Sequence, residues 1–282
     1  MTTVTLKTAL TSAIERLTAA HIGSPRLNAE ILLMFALGCD RAYFFAHPER
    51  ELTNDELFQF EELVGQRASG IPAQYLTGHQ EFWGMDFIVS PAVLIPRPET
   101  EHVIEAVLPL AKGLDGPRIV DVGTGSGCIA VVLAKELPKA QIHAVDISAG
   151  ALEIARANAT RNQVEERVDF QQGDLLAGFA PASLDLVVSN PPYVGESEED
   201  QVQLEVRKFE PRNAVFAGHT GLEIIERLAP QAEAALKSGG WLVMEISGTI
   251  VDGVKHILKE WDGVQISNDL QGIPRAASAR RR

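Results

Sequence analysis

Apolar residues recur at helical spacing through about the first seventy positions. Leu6, Leu10, Ala13, Ile14 and Leu17 form one such face, Leu27, Ile31 and Met34 a second, and Leu57, Phe60, Leu63 and Val64 a third. Gly23, Ser24, Pro25 and Gly38 punctuate these runs, and Thr53-Asn54-Asp55-Glu56 has the make-up of a helix start with nearby carboxylates. The pattern predicts a small helical bundle over residues 1–72. Over residues 73–97 the texture changes. Leu76-Thr77-Gly78 and the runs 82–89 and 91–96 read as short strands joined by glycine and proline turns, a β-hairpin connector. The prolines bound those strands because proline cannot donate to a sheet ladder.

From residue 98 to 282 the pattern alternates. Residues 118–122, 141–146, 168–170, 184–189 and 241–246 read as strands, and 101–110, 128–137, 150–161 and 222–236 as helices. Strands alternating with helices of this length call for right-handed crossovers, so the fold class is α/β with a largely parallel sheet.

Charge narrows the partners. Thirty-eight acidic residues against 25 basic ones leave a formal net charge of −13, whereas a duplex-binding protein gathers phosphates with Lys and Arg. The one dense basic cluster, Arg280-Arg281-Arg282, reads as a solvated tail. Cys39 and Cys128 build neither a metal site nor a disulfide framework and read as packing residues. The first ten residues lack a signal-peptide layout, and the longest apolar stretch, around residues 31–39, is too short to span a bilayer. These features predict a cytoplasmic protein with no membrane contact and no metal.

The first candidate chemistry is the loop Gly123-Thr124-Gly125-Ser126-Gly127, between a strand and a helix. Glycines there let the chain turn sharply and let a ligand lie against the backbone, but such a loop alone is a weak signal. Its spacing is Gly-x-Gly-x-Gly, whereas the dinucleotide fingerprint has its third glycine one residue later, where Cys128 stands. Asp146 closes the next strand, where a carboxylate can accept from both hydroxyls of a ribose, and Asp174 follows the third. Singly, either aspartate reads equally well as a helix cap or turn residue. At successive strand ends of one sheet, with the glycine loop, they read as a cofactor site.

The second is Asn190-Pro191-Pro192-Tyr193, at the carboxyl end of a strand, where open parallel sheets bind ligands. A planar amide or exocyclic amine is a poor nucleophile. It can attack a sulfonium methyl when acceptors hold its N–H groups, here the Asn190 side-chain oxygen and the Pro191 carbonyl in a rigid two-proline setting. Tyr193 offers a flat face for a planar group. As positive charge develops on the nitrogen both hydrogen bonds strengthen, which stabilises the transition state over the ground state.

These residues resemble the Asn-Pro-Pro-Tyr amino methyltransferases, and more closely the protein-(glutamine-N5) methyltransferases of the PrmC/HemK type. The stretches Gln74-Tyr75-Leu76-Thr77-Gly78, Glu81-Phe82, Val93-Leu94-Ile95-Pro96-Arg97-Pro98-Glu99-Thr100-Glu101 and Phe209-Glu210-Pro211-Arg212-Asn213-Ala214, with Gly221-Leu222, extend the resemblance over nearly the whole chain. It implies a Rossmann-like, seven-stranded class I methyltransferase sheet over residues 98–282, S-adenosyl-L-methionine as cofactor and S-adenosyl-L-homocysteine as product. It implies as substrate the Gly-Gly-Gln glutamine of class 1 peptide chain release factors, which the N-terminal bundle helps to dock. A monomer is expected, and the acidic balance argues against direct nucleic-acid contact. By matching positions, Gly123, Thr124, Gly125, Ser126, Gly127, Asp146, Asp174, Leu175 and Asn190 would contact the cofactor, with Leu175 against adenine. Asn190, Pro191, Pro192 and Tyr193 would hold the glutamine amide. Arg97, Pro98 and Thr100 either wall this pocket or pack as connector. Met244-Glu245-Ile246-Ser247-Gly248-Thr249 departs from the family pattern and is expected to lie remote from the chemistry, and residues 269–275 outline a closing hairpin.

Three other readings compete. A glutamine methyltransferase of a ribosomal protein shares the chemistry. An adenine-N6 methyltransferase would use the same tetrapeptide but needs phosphate contacts and a flipped base. A cofactor-binding interaction protein would have no need of Asn190 and Tyr193 beside an intact loop. His79, His102 and His143 read as isolated surface or packing residues, and the acidic run 196–200 as a solvated loop or a lid.

Overall fold

The computed structural model describes residues 4–282 and divides into two units. The first holds the described residues up to Gly78 together with the helix Leu204–Phe209. Its helices are α1 (Leu6–Ala19), α2 (Pro25–Leu37), α3 (Arg41–Ala46), α4 (Asn54–Ala68) and α5 (Ala73–Thr77). The Thr53 hydroxyl accepts from the Glu56 N–H while the Glu56 carboxylate reaches back to the Thr53 N–H, so the expected start of α4 is a capping box. Such a cap contributes about 1 kcal/mol.

Leu6, Ala13, Leu17, Leu32, Leu33, Phe44, Phe60 and Val64 share the buried cluster of this unit. On α2 the buried face is Ala29, Leu32 and Leu33, not the Leu27–Ile31–Met34 face expected from spacing, and Leu27 is about half exposed. Leu76-Thr77-Gly78, expected as a strand, instead closes α5, whose left-handed cap is Gly78. Arg67 is buried in this unit. Its guanidinium donates to Asn28 Oδ1 at 2.7 Å, to the Ile71 carbonyl at 3.1 Å and to Glu205 of the returning helix at 2.6 Å.

The second unit opens with the hairpin β1 (His79–Phe82) and β2 (Met85–Ile88), followed by α6 (Glu101–Ala111). Residues 91–96, expected as a strand, are irregular, with Pro91 and Pro96 at its two ends unable to donate to a ladder. Then come β3 (Arg118–Val122), α7 (Cys128–Glu136), β4 (Gln141–Asp146), α8 (Ala149–Arg161), β5 (Val168–Gln172) and β6 (Leu184–Ser189). After the short strand β7 (Val194–Gly195), α9 is the Leu204–Phe209 helix of the first unit. The chain ends with α10 (Arg212–Val215), β8 (Phe216–Gly218), α11 (Glu223–Ala235), β9 (Leu236–Glu245), α12 (Val251–Ile257), β10 (Asp262–Asn268) and β11 (Pro274–Arg280).

Seven of these strands form one sheet in the order β10-β11-β9-β6-β3-β4-β5. The pairs from β9 to β5 run parallel, and β11 is antiparallel to both β9 and β10, so the hairpin outlined by residues 269–275 is present. Successive strand residues alternate between two apolar clusters, as a sheet covered on both faces requires. Ile119, Ile142, Leu186 and Val188 join residues of α6, α7 and α8 on one side. Val120, Val122, Val187 and Leu242 join those of α11 and α12 on the other.

The hairpin packs within the first of these clusters through Phe82 and Phe87, whose rings lie edge to face 6.0 Å apart. Arg280, Arg281 and Arg282 are no free tail. Arg280 ends β11, Arg281 donates to the Leu236 carbonyl, and Arg282 pairs with Asp262 at 3.0 Å. The run of like charges is a strand end tied to its neighbours.

Candidate active site

The carboxyl ends of β3, β4 and β6 surround a cavity of about 490 Å³, within the roughly 300–1,000 Å³ usual for small-molecule sites. Gly123, Thr124, Gly125 and Ser126 line it, with Asp146, Asp174, Leu175 and Asn190. The loop after β3 turns through left-handed backbone at Gly123, Gly125 and Gly127, with φ of +70°, +55° and +80°. A Cβ at Gly127 would stand 3.0 Å from the Ala155 Cβ, so the third glycine is required by the approach of α8.

Asp146 is pre-set. One carboxylate oxygen accepts from the Gly125 N–H and the other from the Ser148 N–H, both at 2.9 Å, which holds the side chain at the rim with lone pairs to spare. Asp174 is half exposed and pairs with Arg227 at 2.5 Å, and both residues line the cavity. Leu175 has φ +52°, an uncommon conformation for a leucine, and lines the same wall. The next N–H, of Leu176, is fixed by Gln231 at 3.1 Å.

The tetrapeptide leaves β6 facing this loop. Asn190 and Pro192 line the cavity, Pro191 is buried and Tyr193 half-buried, and neither of these two belongs to its wall. The Ser189 hydroxyl donates to the Val122 carbonyl at 2.7 Å, which ties the ends of β3 and β6 together. Behind the turn stands Gly221, with φ +84° and space for no side chain, since a Cβ would fall 2.5 Å from the Tyr193 carbonyl.

Several residues at the site were not singled out from the sequence. Asn158, fully buried on α8, accepts from the Ile88 N–H at 2.6 Å and donates to the Ile88 and Ser126 carbonyls, so one side chain joins the hairpin to the glycine loop. Asp121 is buried on β3 and accepts from Thr124 Oγ1 at 2.6 Å and the Ala130 N–H at 3.2 Å. Its Oδ1 has no partner among the described residues. Burial pushes its carboxyl up to about 7, with Asp146 adding to the shift and the two hydrogen bonds opposing it. Glu210, buried, accepts from the Ile95 N–H and pairs with Arg97, which fixes the Pro96-Arg97 wall.

Glu245, expected to lie remote from the chemistry, stands beside it. It ends β9 and is hydrogen-bonded to both Thr100 and Tyr193. Pro98 opens the short helical turn Pro98–Thr100, while Arg97 and Thr100 line the cavity. The three histidines are not isolated but face carboxylates: His79 faces Asp86, His102 Glu105 and His143 Asp169. None of them lines the cavity. The acidic run forms a short helical turn in which Glu199 grips Arg212 with both oxygens. Cys128 lines the cavity, but burial pushes its thiol up to about 12, so it stays protonated and inert.

Two family models match, the PrmC N-terminal domain over residues 8–78 and the methyltransferase small domain over residues 104–208. A solved methyltransferase from Pyrococcus furiosus is 18% identical with a TM-score of 0.53, covering 77% of this chain and 98% of that one, a likeness of fold. A release factor glutamine methyltransferase of Nitratidesulfovibrio vulgaris is 42% identical over 283 residues, covering 98% of this chain and 95% of its own. One from Koribacter versatilis is 56% identical over 279 residues, 99% of both chains. With the class I methyltransferase sheet, its glycine loop and this end-to-end identity, the chain belongs to the release factor glutamine methyltransferase family.

Proposed function

We propose that the protein transfers a methyl group from S-adenosylmethionine to the side-chain amide nitrogen of the Gly-Gly-Gln glutamine in class 1 peptide chain release factors. The observation that carries this reading is the Asn190 turn placed on the same cavity as the glycine loop and Asp146. The names of the full-length relatives support the release factor as substrate.

The residues present fit the cofactor. Gly123 to Gly127 leave the backbone bare, Asp146 has acceptor capacity for a ribose diol, and Val93, Leu94 and Leu175 offer apolar wall for a flat base. When bound, S-adenosylmethionine supplies an electrophilic methyl on a sulfonium. The protein binds and aligns. Asn190 Oδ1 and the Pro191 carbonyl would accept the two N–H groups of the glutamine amide, and the Tyr193 ring would pack on its plane. These acceptors strengthen as charge develops on the nitrogen, which favours the transition state. Alignment of nitrogen, carbon and sulfur supplies the remainder, and the methylated nitrogen then gives up one of its two protons to water to leave a neutral amide.

A net charge of −13 favours a protein partner over nucleic acid, and no helix among the described residues is long and apolar enough to cross a membrane. The same reading places a monomer in the cytoplasm. The test is mass spectrometry of unmodified release factor after incubation with the protein and methyl-labelled S-adenosylmethionine. One methyl on the Gly-Gly-Gln glutamine, absent with Asn190→Ala, is the expected result. An unmodified glutamine despite measured cofactor binding would overturn the substrate.

A further inference from the structure

Asn190, Thr100, Glu245 and Tyr193 form one unbroken chain of hydrogen bonds. Asn190 Nδ2 lies 3.0 Å from Thr100 Oγ1, Thr100 Oγ1 lies 2.6 Å from Glu245 Oε2, and the Tyr193 hydroxyl lies 3.0 Å from Glu245 Oε1. Thr100 and Glu245 are each 2% exposed, so water does not compete for these bonds. The partners come from three separate places: the turn before α6, the end of β9 and the turn after β6.

The direction of the chain follows from proton counting. An ionised carboxylate only accepts, and a hydroxyl has one proton. The Thr100 proton therefore goes to Glu245, as does that of Tyr193. Thr100 can then only accept from its other neighbour, so the Asn190 amide must turn its NH2 end to Thr100. Its oxygen end is left for another donor. The reversed amide would aim two N–H groups at a substrate amide that itself presents N–H groups.

We infer that Glu245 and Thr100 are positioning residues for methyl transfer: through a single hydroxyl, the buried carboxylate sets which end of the Asn190 amide meets the substrate, and it anchors the Tyr193 ring to the same point. This rests on the amide-methylation reading. Protonation would undo the device. A neutral Glu245 can itself donate to Thr100, which frees the Thr100 proton for the Asn190 oxygen and permits the reversed amide. Burial raises the Glu245 carboxyl, and Glu99 on the turn before α6 adds to the rise. The bonds from Thr100 and Tyr193 and the charge of Arg275 on β11 oppose it, while the neutral Cys128 thiol faces it from α7. The maximal rate of methyl transfer thus falls as pH drops through the Glu245 titration.

The test compares wild type with Thr100→Val, Thr100→Ser and Glu245→Gln in single-turnover methyl transfer to unmodified release factor across pH, with cofactor Kd measured alongside. The Asn190 side-chain amide, identified by ¹⁵N NMR as the pair missing in Asn190→Ala, reports the network without any substrate. Thr100→Val is expected to lower kcat by about tenfold to a hundredfold with little change in cofactor Kd, the scale of a misaligned catalytic group. It also loses exchange protection of the Asn190 N–H. Thr100→Ser restores kcat to within about threefold of wild type, and Glu245→Gln is slow with no acid limb in kcat. A Thr100→Val enzyme with wild-type kcat and wild-type amide protection overturns the inference, as does an unchanged acid limb in Glu245→Gln. Should wild type leave the release factor unmethylated, the substrate reading fails, and amide protection alone decides the network.

Discussion

The Ser189 hydroxyl donates to the Val122 main-chain oxygen across 2.7 Å, at the point where two parallel strands deliver the candidate catalytic turn and the glycine loop. Both partners are nearly inaccessible, so the bond is formed without water to replace it. Ser189→Ala leaves the Val122 carbonyl buried with its hydroxyl partner gone, at a cost of about 1–3 kcal/mol. A fall of that size in the urea unfolding free energy is expected, with a lower rate of methyl transfer. Unchanged stability would show that the two strand ends hold their places without it.

Gly127→Ala combines a φ of +80° with a Cβ placed 3.0 Å from the Ala155 Cβ. The strained backbone alone costs about 1 kcal/mol or more, and α8 cannot yield without moving Asn158. Cofactor affinity, read by calorimetry, should drop by tenfold or more. A variant that binds as wild type does would mean the loop tolerates a shifted α8.

Gly221→Ala attacks the other half of the site. Its Cβ would sit 2.5 Å from the Tyr193 carbonyl, so the turn must move, while the glycine loop and Asp146 lie elsewhere on the cavity. Cofactor binding should stay within about twofold and methyl transfer should fall at least tenfold, the scale expected for a misplaced catalytic group. Parallel losses in both would point to general collapse.

Asp121 makes stability depend on pH. Its folded carboxyl titrates at about 7 against an ordinary 3.8, because it is buried. Between those values the folded state holds the proton more tightly than the unfolded one. Its contribution is therefore greatest below pH 4 and is lost as pH rises through 7, up to roughly 4 kcal/mol in all. In Asp121→Asn this loss is absent. Urea midpoints from pH 4 to 8, without cofactor, should fall more steeply for wild type than for the variant, and coincident profiles would refute the assignment.

That the candidate cofactor residues would meet around one cavity was legible because their signals are local. Gly123 to Gly127, Asp146 and Asn190 each sit at the end of a strand whose apolar pattern is plain, and a parallel sheet brings such ends together without further information. Glu245 was not legible. It lies 145 residues from Thr100 and 52 from Tyr193, and chain spacing carries no trace of that meeting. Local signals also misled where two readings share one composition. Leu76-Thr77-Gly78 is apolar enough for a strand, yet Pro72 before it and a left-handed Gly78 after it are the marks of a short helix. The terminal arginines look solvated until Trp241 is found paired with Arg280 across β9 and β11.

The helix Leu204–Phe209 has a consequence for how the chain is made. Glu205 is the carboxylate partner of Arg67, whose side chain is 4% exposed, and it is synthesised 138 residues later. A buried cation lacking its partner costs about 3–5 kcal/mol. During translation the amino-terminal helices therefore emerge first and mature late, held short of full stability until more than two-thirds of the chain has left the ribosome. A fragment cut at Gly78 would carry that deficit permanently, which makes the return helix a late lock on the amino-terminal helices, supplied by a segment from the later part of the polypeptide.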